Sequence, residues 1–83
     1  MFYTYILQSK LDRKIYIGST KDLRKRLSEH NNGLVRSTKS RTPFELVYYE
    51  AYKVEGSARS REKSLKLRGR ARVQLLKRIA DCL

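Results

Sequence analysis

Eighty-three residues carry 20 Lys and Arg against eight Asp and Glu, a formal net charge of +12. A chain this short makes one domain, residues 1–83, because it buries only about 60% of the surface its unfolded form exposes and cannot divide its core. Its longest apolar runs fall far short of the roughly 20 residues that span a bilayer, and so much positive charge in so small a body points to a polyanionic partner, nucleic acid, and away from a membrane.

The opening "MFYTYILQSK" lacks the charged start and cleavage site of a signal peptide and reads as a strand over Phe2–Gln8, so a cytoplasmic location is expected. Lys14–Ser19 repeats that aromatic and β-branched character after the polar "SKLDR", and the two pair most simply as an antiparallel hairpin. Alternation puts Tyr3, Tyr5 and Leu7 on one face of the first strand, and separates Tyr16 and Gly18 from Ile15 and Ile17 on the second. Ser19 or Thr20 can cap a helix with Asp22 in its first turn; Leu23 and Leu27 are spaced to bury one stripe, and "NNG" at Asn31–Gly33 stops it. Leu34–Thr42 has no period and reads as a loop, with Pro43 leading into a third strand at Phe44–Tyr52. Gly56 and Ser57 open a second helix from Ala58 to about Arg68, ended by Gly69, and a third carries Val73, Leu76, Ile79 and Ala80 on one stripe. The order β-β-α-β-α-α describes an α/β (α+β) domain, a small three-stranded antiparallel sheet flanked by helices, with a monomer favoured. Cys82 has no partner for an internal disulfide, which fits a reducing compartment.

Several hydrolytic chemistries are missing from the chain. It has one histidine, hence no multi-histidine zinc site, no Cys/His nucleophile pair, no Gly-rich phosphate loop and no Gly-x-Ser-x-Gly elbow. What stands out is a set of strand tyrosines, an Arg26/His30 pair one helical turn apart, and Glu62 among cations. Arg26 and His30 share a helix face, on a side distinct from Leu23 and Leu27, aimed at one ligand. A guanidinium fork holds phosphate oxygens in two-pronged fashion, and an imidazole exchanges a proton near neutral pH. The same two residues also fit a solvated basic face and a helix-end histidine. Glu62 fits an ion pair with Lys66 at i,i+4, or a Mg²⁺ ligand. Tyr5 and Tyr16 fit a core, or two phenols held side by side.

Taken together, Tyr3-Thr4-Tyr5, Tyr16-Ile17-Gly18, Arg26-x-x-x-His30-Asn31, Thr38, the "PFELVYYE" strand and Ala58-x-x-Arg61-Glu62-Lys63-x-Leu65-Lys66 resemble the GIY-YIG nuclease superfamily across the whole chain. The likeness is to its short single-domain, UPF0213-like members, related to the excision-repair nuclease module and to homing-endonuclease catalytic domains. Tyr3 stands where the first triplet has its name-giving glycine, and Gln74 stands near a family asparagine. The resemblance implies a three-stranded sheet with flanking helices and a Mg²⁺-dependent (or Mn²⁺-dependent) endonuclease using one ion. It assigns Tyr5, Tyr16, Arg26, His30 and Glu62 to catalysis, with Glu62 on the metal, and leaves open which tyrosine handles the attacking water. DNA is the expected substrate, chosen by structure rather than sequence. Lys39, Arg41, Arg59, Arg61, Lys63, Lys66, Arg68, Arg70 and Arg72 are the expected backbone-binding cations. The alternative is a basic module that keeps this fold and binds nucleic acid without cutting it.

Overall fold

Aromatic and β-branched side chains crowd Phe2–Ser9, and in the computed structural model, which describes Met1–Leu83, that segment is the central strand β1. β2 (Ile15–Thr20) and β3 (Phe44–Tyr52) flank it, both antiparallel, in the order β2-β1-β3. Helices α1 (Leu23–Asn31), α2 (Glu55–Lys66) and α3 (Arg70–Arg78) complete the expected β-β-α-β-α-α, with 3₁₀ turns at Lys39–Arg41 and Ala80–Cys82. No helix is long and apolar enough to cross a membrane.

The sheet divides the core in two, because successive residues of a strand face opposite sides. Ile6 and Ile17 meet Leu65, Leu75 and Ile79 under α2 and α3. Tyr5, Leu7 and Phe44 pack on the other face, against Leu23 and Leu27 of α1. A bulge in β3 adjusts the fit: Ile6 pairs with Tyr48 and Leu7 with Leu46, so Val47 is an extra residue. Val47 and Tyr48 therefore both turn toward the α2/α3 core.

Local chemistry moves three of the expected boundaries. Asp22, not Ser19 or Thr20, caps α1, its Oδ1 accepting from the Lys25 N–H at 3.0 Å, while the Thr20 hydroxyl accepts from the Asp22 N–H at 3.2 Å. α2 begins at Glu55, three residues before Ala58, because an extended Val54 and an acidic first residue make a serviceable start ahead of Gly56. In α3 the inward stripe is Ala71, Leu75 and Ile79, with Leu76 beside it; Val73 is 51% exposed, and Ala80 lies past the helix end. The segment 34–42 is irregular but anchored, with Val35 and Thr38 buried.

α2 is held to the sheet by polar contacts as well as by Leu65. Thr4 Oγ1 donates to the Ala58 carbonyl at 2.7 Å. Glu50 takes Arg61 in a two-pronged pair, Nε at 3.0 Å and Nη2 at 3.1 Å, and accepts the hydroxyls of Tyr48 at 2.6 Å and of Tyr52. Burial alone would raise the Glu50 carboxyl; the Arg61 fork and the two phenols reverse this and hold it below its ordinary value. Glu50→Gln removes the charge that all three donors share and is expected to cost about 2–3 kcal/mol in urea unfolding at neutral pH. A variant as stable as the wild type would show that this cluster contributes nothing net.

Candidate active site

Tyr5 lies in the middle of the central strand and is 1% exposed, so its hydroxyl needs a partner inside the protein. His30 supplies it, with Tyr5 Oη 3.0 Å from Nε2. The other ring nitrogen, Nδ1, lies 2.8 Å from Thr38 Oγ1, and the Thr38 hydroxyl donates onward to the Val35 carbonyl at 3.4 Å. This sequence of bonds assigns the proton on His30 to Nδ1 and leaves Nε2 to accept from Tyr5. Burial, and then the charge of Arg26, push the imidazole down to about 4. Burial pushes the Tyr5 phenol up to about 12, against the pull of the Arg26 guanidinium beside it. Both groups are neutral at pH 7.

The Tyr-Ile-Gly triplet of β2 has a steric reason. Gly18 pairs across from Tyr5, and a Cβ there would stand 2.5 Å from Tyr5 Oη and 2.6 Å from Cζ. The phenol thus lies flat over a backbone with no side chain, and any larger residue drives it away from His30. Tyr16, two residues earlier on the same face, is half-buried, its ring 4.9 Å from that of His30 and 6.4 Å from that of Tyr5.

His30 does not share a solvent-facing side with Arg26, as the spacing alone suggested. It lies two turns beyond Leu23, which puts it on the leucine stripe, and it is wholly buried. Arg26 stays at the rim, its Nη1 3.2 Å from Glu29 Oε1. Asn31 fixes this end of α1 by gripping the backbone of Phe44, accepting from its N–H at 2.6 Å and donating to its carbonyl at 3.1 Å.

Glu62 approaches from the other face of the sheet. Its Oε1 accepts from Ser19 Oγ at 2.5 Å, and its Oε2 holds Lys66 Nζ at 2.6 Å. Burial would raise the carboxyl, yet the bonds from Lys66 and Ser19 keep it below its ordinary value, so it is ionised at neutral pH. Lys66 Nζ also lies 6.0 Å from the centroid of the Tyr16 ring. The two halves therefore meet around the exposed edge of β2: phenols, imidazole and Arg26 on the α1 side, Glu62 and Lys66 on the α2 side. Glu62 is the one acid in a groove it shares with Ser19, Arg59, Lys63 and Lys66, and no three His, Cys, Asp or Glu side chains cluster anywhere. Glu62 is thus the residue here that could hold a divalent cation, with Lys66 moving aside and water or phosphate oxygens filling the remaining positions.

The expected binding cations divide. Arg59, Lys63 and Lys66 line the Glu62 groove, and Lys39, Arg68 and Arg70 are exposed. Arg61 is committed to Glu50, Arg41 to Asp12 at 2.9 Å and to the Phe44 ring, and Arg72 to the Leu65 carbonyl at 3.3 Å. These three are half-buried and hold the fold, whereas Arg59 and Lys66 are exposed beside their own partners, Glu55 at 3.7 Å and Glu62. Gln74 is exposed on α3 and outside the grooves around Glu62. Ser19 is a site residue that the sequence did not single out; a hydroxyl in a strand carries no signal until its partner 43 positions away is known.

A strand pair carrying this tyrosine and glycine set, next to a helix with Arg and His and a second helix with a lone glutamate, defines a GIY-YIG catalytic domain, and the sequence profile of that domain matches residues 1–76. The chain belongs to this nuclease family. Within it the chain falls among the UPF0213 proteins. It is 43% identical over 67 residues to the UPF0213 protein CPE1444 of Clostridium perfringens, covering 80% of this chain and 71% of that one. It is 37% identical over 75 residues to HQ_3675A of Haloquadratum walsbyi, covering 89% and 83%. The solution NMR structure of the UPF0213 protein BH0048 from Bacillus halodurans superposes with a TM-score of 0.57 at 35% identity, over 93% of this chain and 84% of that one.

Two measurements test this geometry. Because the folded imidazole titrates near 4 and the unfolded one near its ordinary 6.5, the unfolded chain alone binds the proton between those values. Stability is therefore full above pH 6.5 and declines as pH falls toward 4, by about 3 kcal/mol. Nitrogen-15 spectra should report a neutral Nδ1–H ring throughout that window; an imidazolium at pH 6 would contradict the assignment. Gly18→Ala should displace the Tyr5 ring, lower stability by about 1–3 kcal/mol and raise the His30 pKa as water reaches the ring. An unchanged imidazole titration in that variant would show that the close approach does not matter.

Proposed function

We propose that this chain is a Mg²⁺-dependent endonuclease, with Mn²⁺ able to serve, that hydrolyses phosphodiester bonds of DNA and selects its substrate by shape rather than sequence. The observation that carries this reading is Tyr16 on the edge strand, its ring 4.9 Å from that of His30 and 6.0 Å from Lys66 Nζ, which links the buried Tyr5–His30–Thr38 chain to the ionised, Ser19-anchored Glu62. A phosphodiester resists attack because its own charge repels the nucleophile, so a catalyst must neutralise that charge and aim a water molecule. Glu62 would hold one divalent ion, which would supply charge neutralisation to the phosphodiester when bound.

The protein's own groups divide the rest. Arg26 is placed to hold non-bridging oxygens from the α1 side, and Arg59 and Lys63 to hold the flanking backbone. Lys66 is about half exposed and can turn from Oε2 to a phosphate oxygen. Of the two phenols, Tyr16 is the one water can reach. Tyr5 is sealed, and since burial pushes its phenol up and the His30 imidazole down, passing its proton to His30 carries a large cost. That cost favours Tyr16 as the group that orients the water, with Tyr5 and His30 holding its ring and the Arg26 side chain in place. Contacts of this kind grip the backbone and read no base, which supports selection by shape.

The Lys66 ammonium on Glu62 favours a second reading, a basic module that binds without cutting. Nicking of supercoiled DNA across a Mg²⁺ titration separates the two. Glu62→Gln is nearly isosteric but uncharged; it should cut at least about 10²-fold more slowly while binding DNA in EDTA as well as the wild type or better. If the wild type nicks and Glu62→Gln nicks equally at every Mg²⁺ concentration, the metal assignment is wrong. If the wild type cuts no supercoiled, branched or flapped DNA, the binding module takes its place.

A further inference from the structure

Beside α1 the sheet face is left open, and a groove of about 450 Å³ runs there, within the roughly 300–1,000 Å³ range of sites that take small flat molecules. Leu23 and Leu27 of α1 and Leu46 of β3 form its apolar floor. Its wall is an aromatic pair, Tyr3 of β1 and Tyr49 of β3, with centroids 5.9 Å apart and planes at 66°. Tyr49 is 52% exposed, an unusual position for a ring that flanks apolar surface. Lys21, Asp22 and Arg24 make the rim. Asp22 is occupied in capping α1, and the exposed Lys21 and Arg24 outweigh its single negative charge at the mouth.

A flat, polarisable surface under a cationic rim suits an aromatic body carried on an anionic backbone. We propose that the Tyr3–Tyr49 groove binds one unpaired nucleobase, laid against the face of Tyr49 with its edge toward Tyr3. The base must be unpaired, because a paired base keeps both faces inside the stack and cannot enter a pocket between protein side chains. The groove adjoins the proposed phosphate site, sharing Lys21 and Asp22 with it. Lys21, Asp22 and the start of α1 separate it from the neighbouring groove, which Ser19 and Arg26 line together with those same two residues. A strand whose phosphate rests on Arg26 thus passes the mouth of the Tyr3–Tyr49 groove, and the favoured ligand is DNA with a single-stranded arm next to a duplex. This rests on the nucleic-acid reading above, but not on cutting.

The test is equilibrium binding in EDTA of fluorescent oligonucleotides: a single strand, a blunt duplex, and a duplex bearing a single-stranded arm. Tyr49 is exposed, so Tyr49→Ala leaves the fold intact, as its circular dichroism and melting should verify. It is expected to weaken the single strand and the armed duplex by about 5- to 100-fold and the blunt duplex by less than about twofold, since backbone contacts alone hold the latter. Tyr49→Trp should restore the loss. Equal weakening of all three ligands, or none, overturns the proposal. So does a wild-type dimer that Tyr49→Ala turns into a monomer without loss of single-strand affinity, which would make the groove a contact between copies. Selective loss in a protein that never nicks DNA keeps the groove and removes the nuclease reading; nicking that depends on Glu62, with Tyr49→Ala binding like the wild type, does the reverse.

Discussion

A phenol buried at the centre of a small sheet has one hydroxyl to satisfy and almost nowhere to put it. Tyr5 resolves this by lying across Gly18 and donating to His30, and much of the α1 half of the molecule follows from that one contact. It requires a strand without a side chain at one position, and a short helix that delivers an imidazole on its apolar stripe. Thr38 must then be drawn in from the following segment to hold the imidazole's other nitrogen, which explains why an otherwise irregular stretch is buried there. Asn31 completes the arrangement by fastening the helix end to the start of β3.

The α2 half rests on a different principle. To the apolar packing of Leu65 on Ile6 and Ile17 it adds polar and charge-assisted contacts to the sheet: Thr4 to the Ala58 carbonyl, Arg61 to Glu50, Ser19 to Glu62. A nine-to-twelve-residue helix in so small a domain buries few apolar side chains, in α2 only Ala58 and Leu65, so directional bonds fix where Glu62 stands. The site is built where these two modes of packing come together, at the edge of β2. A domain carrying a net +12 can tolerate a cluster of cations there because several of the others, notably Arg41 and Arg61, are neutralised locally.

The elements were legible because strand alternation and helix stops are local signals: the hairpin, the third strand and all three helices fall close to where Tyr/Ile patterning and Gly33 or Gly69 place them. Errors came where a choice depended on the third dimension. Val73 and Leu75 are equally apolar, and only the sheet decides that Leu75 points inward. His30 read as a partner for Arg26 because i,i+4 neighbours share a face; that it also shares one with Leu23 shows only when the stripe is seen against the sheet. Arg61 looked like any other cation in its run, since nothing in that run reveals Glu50 on a neighbouring strand. Tyr5, Tyr16, Arg26 and Glu62 were visible as a pattern, and the reason for Gly18 was not, because it lies in a distance across strands.

The long reach of these contacts bears on how the molecule comes into being. Ser19 meets Glu62 across 43 positions and Thr4 meets Ala58 across 54, while Tyr5 meets His30 across 25. Contacts so distant along the chain close late and slowly, after local turns and helices have formed. A ribosome that has released the first fifty residues has released Tyr5, Tyr16, the imidazole and Arg26, but not Glu62, the carboxylate that stands opposite them. The nascent chain is thus a basic polypeptide without a finished centre, and the centre assembles only when α2 emerges and docks.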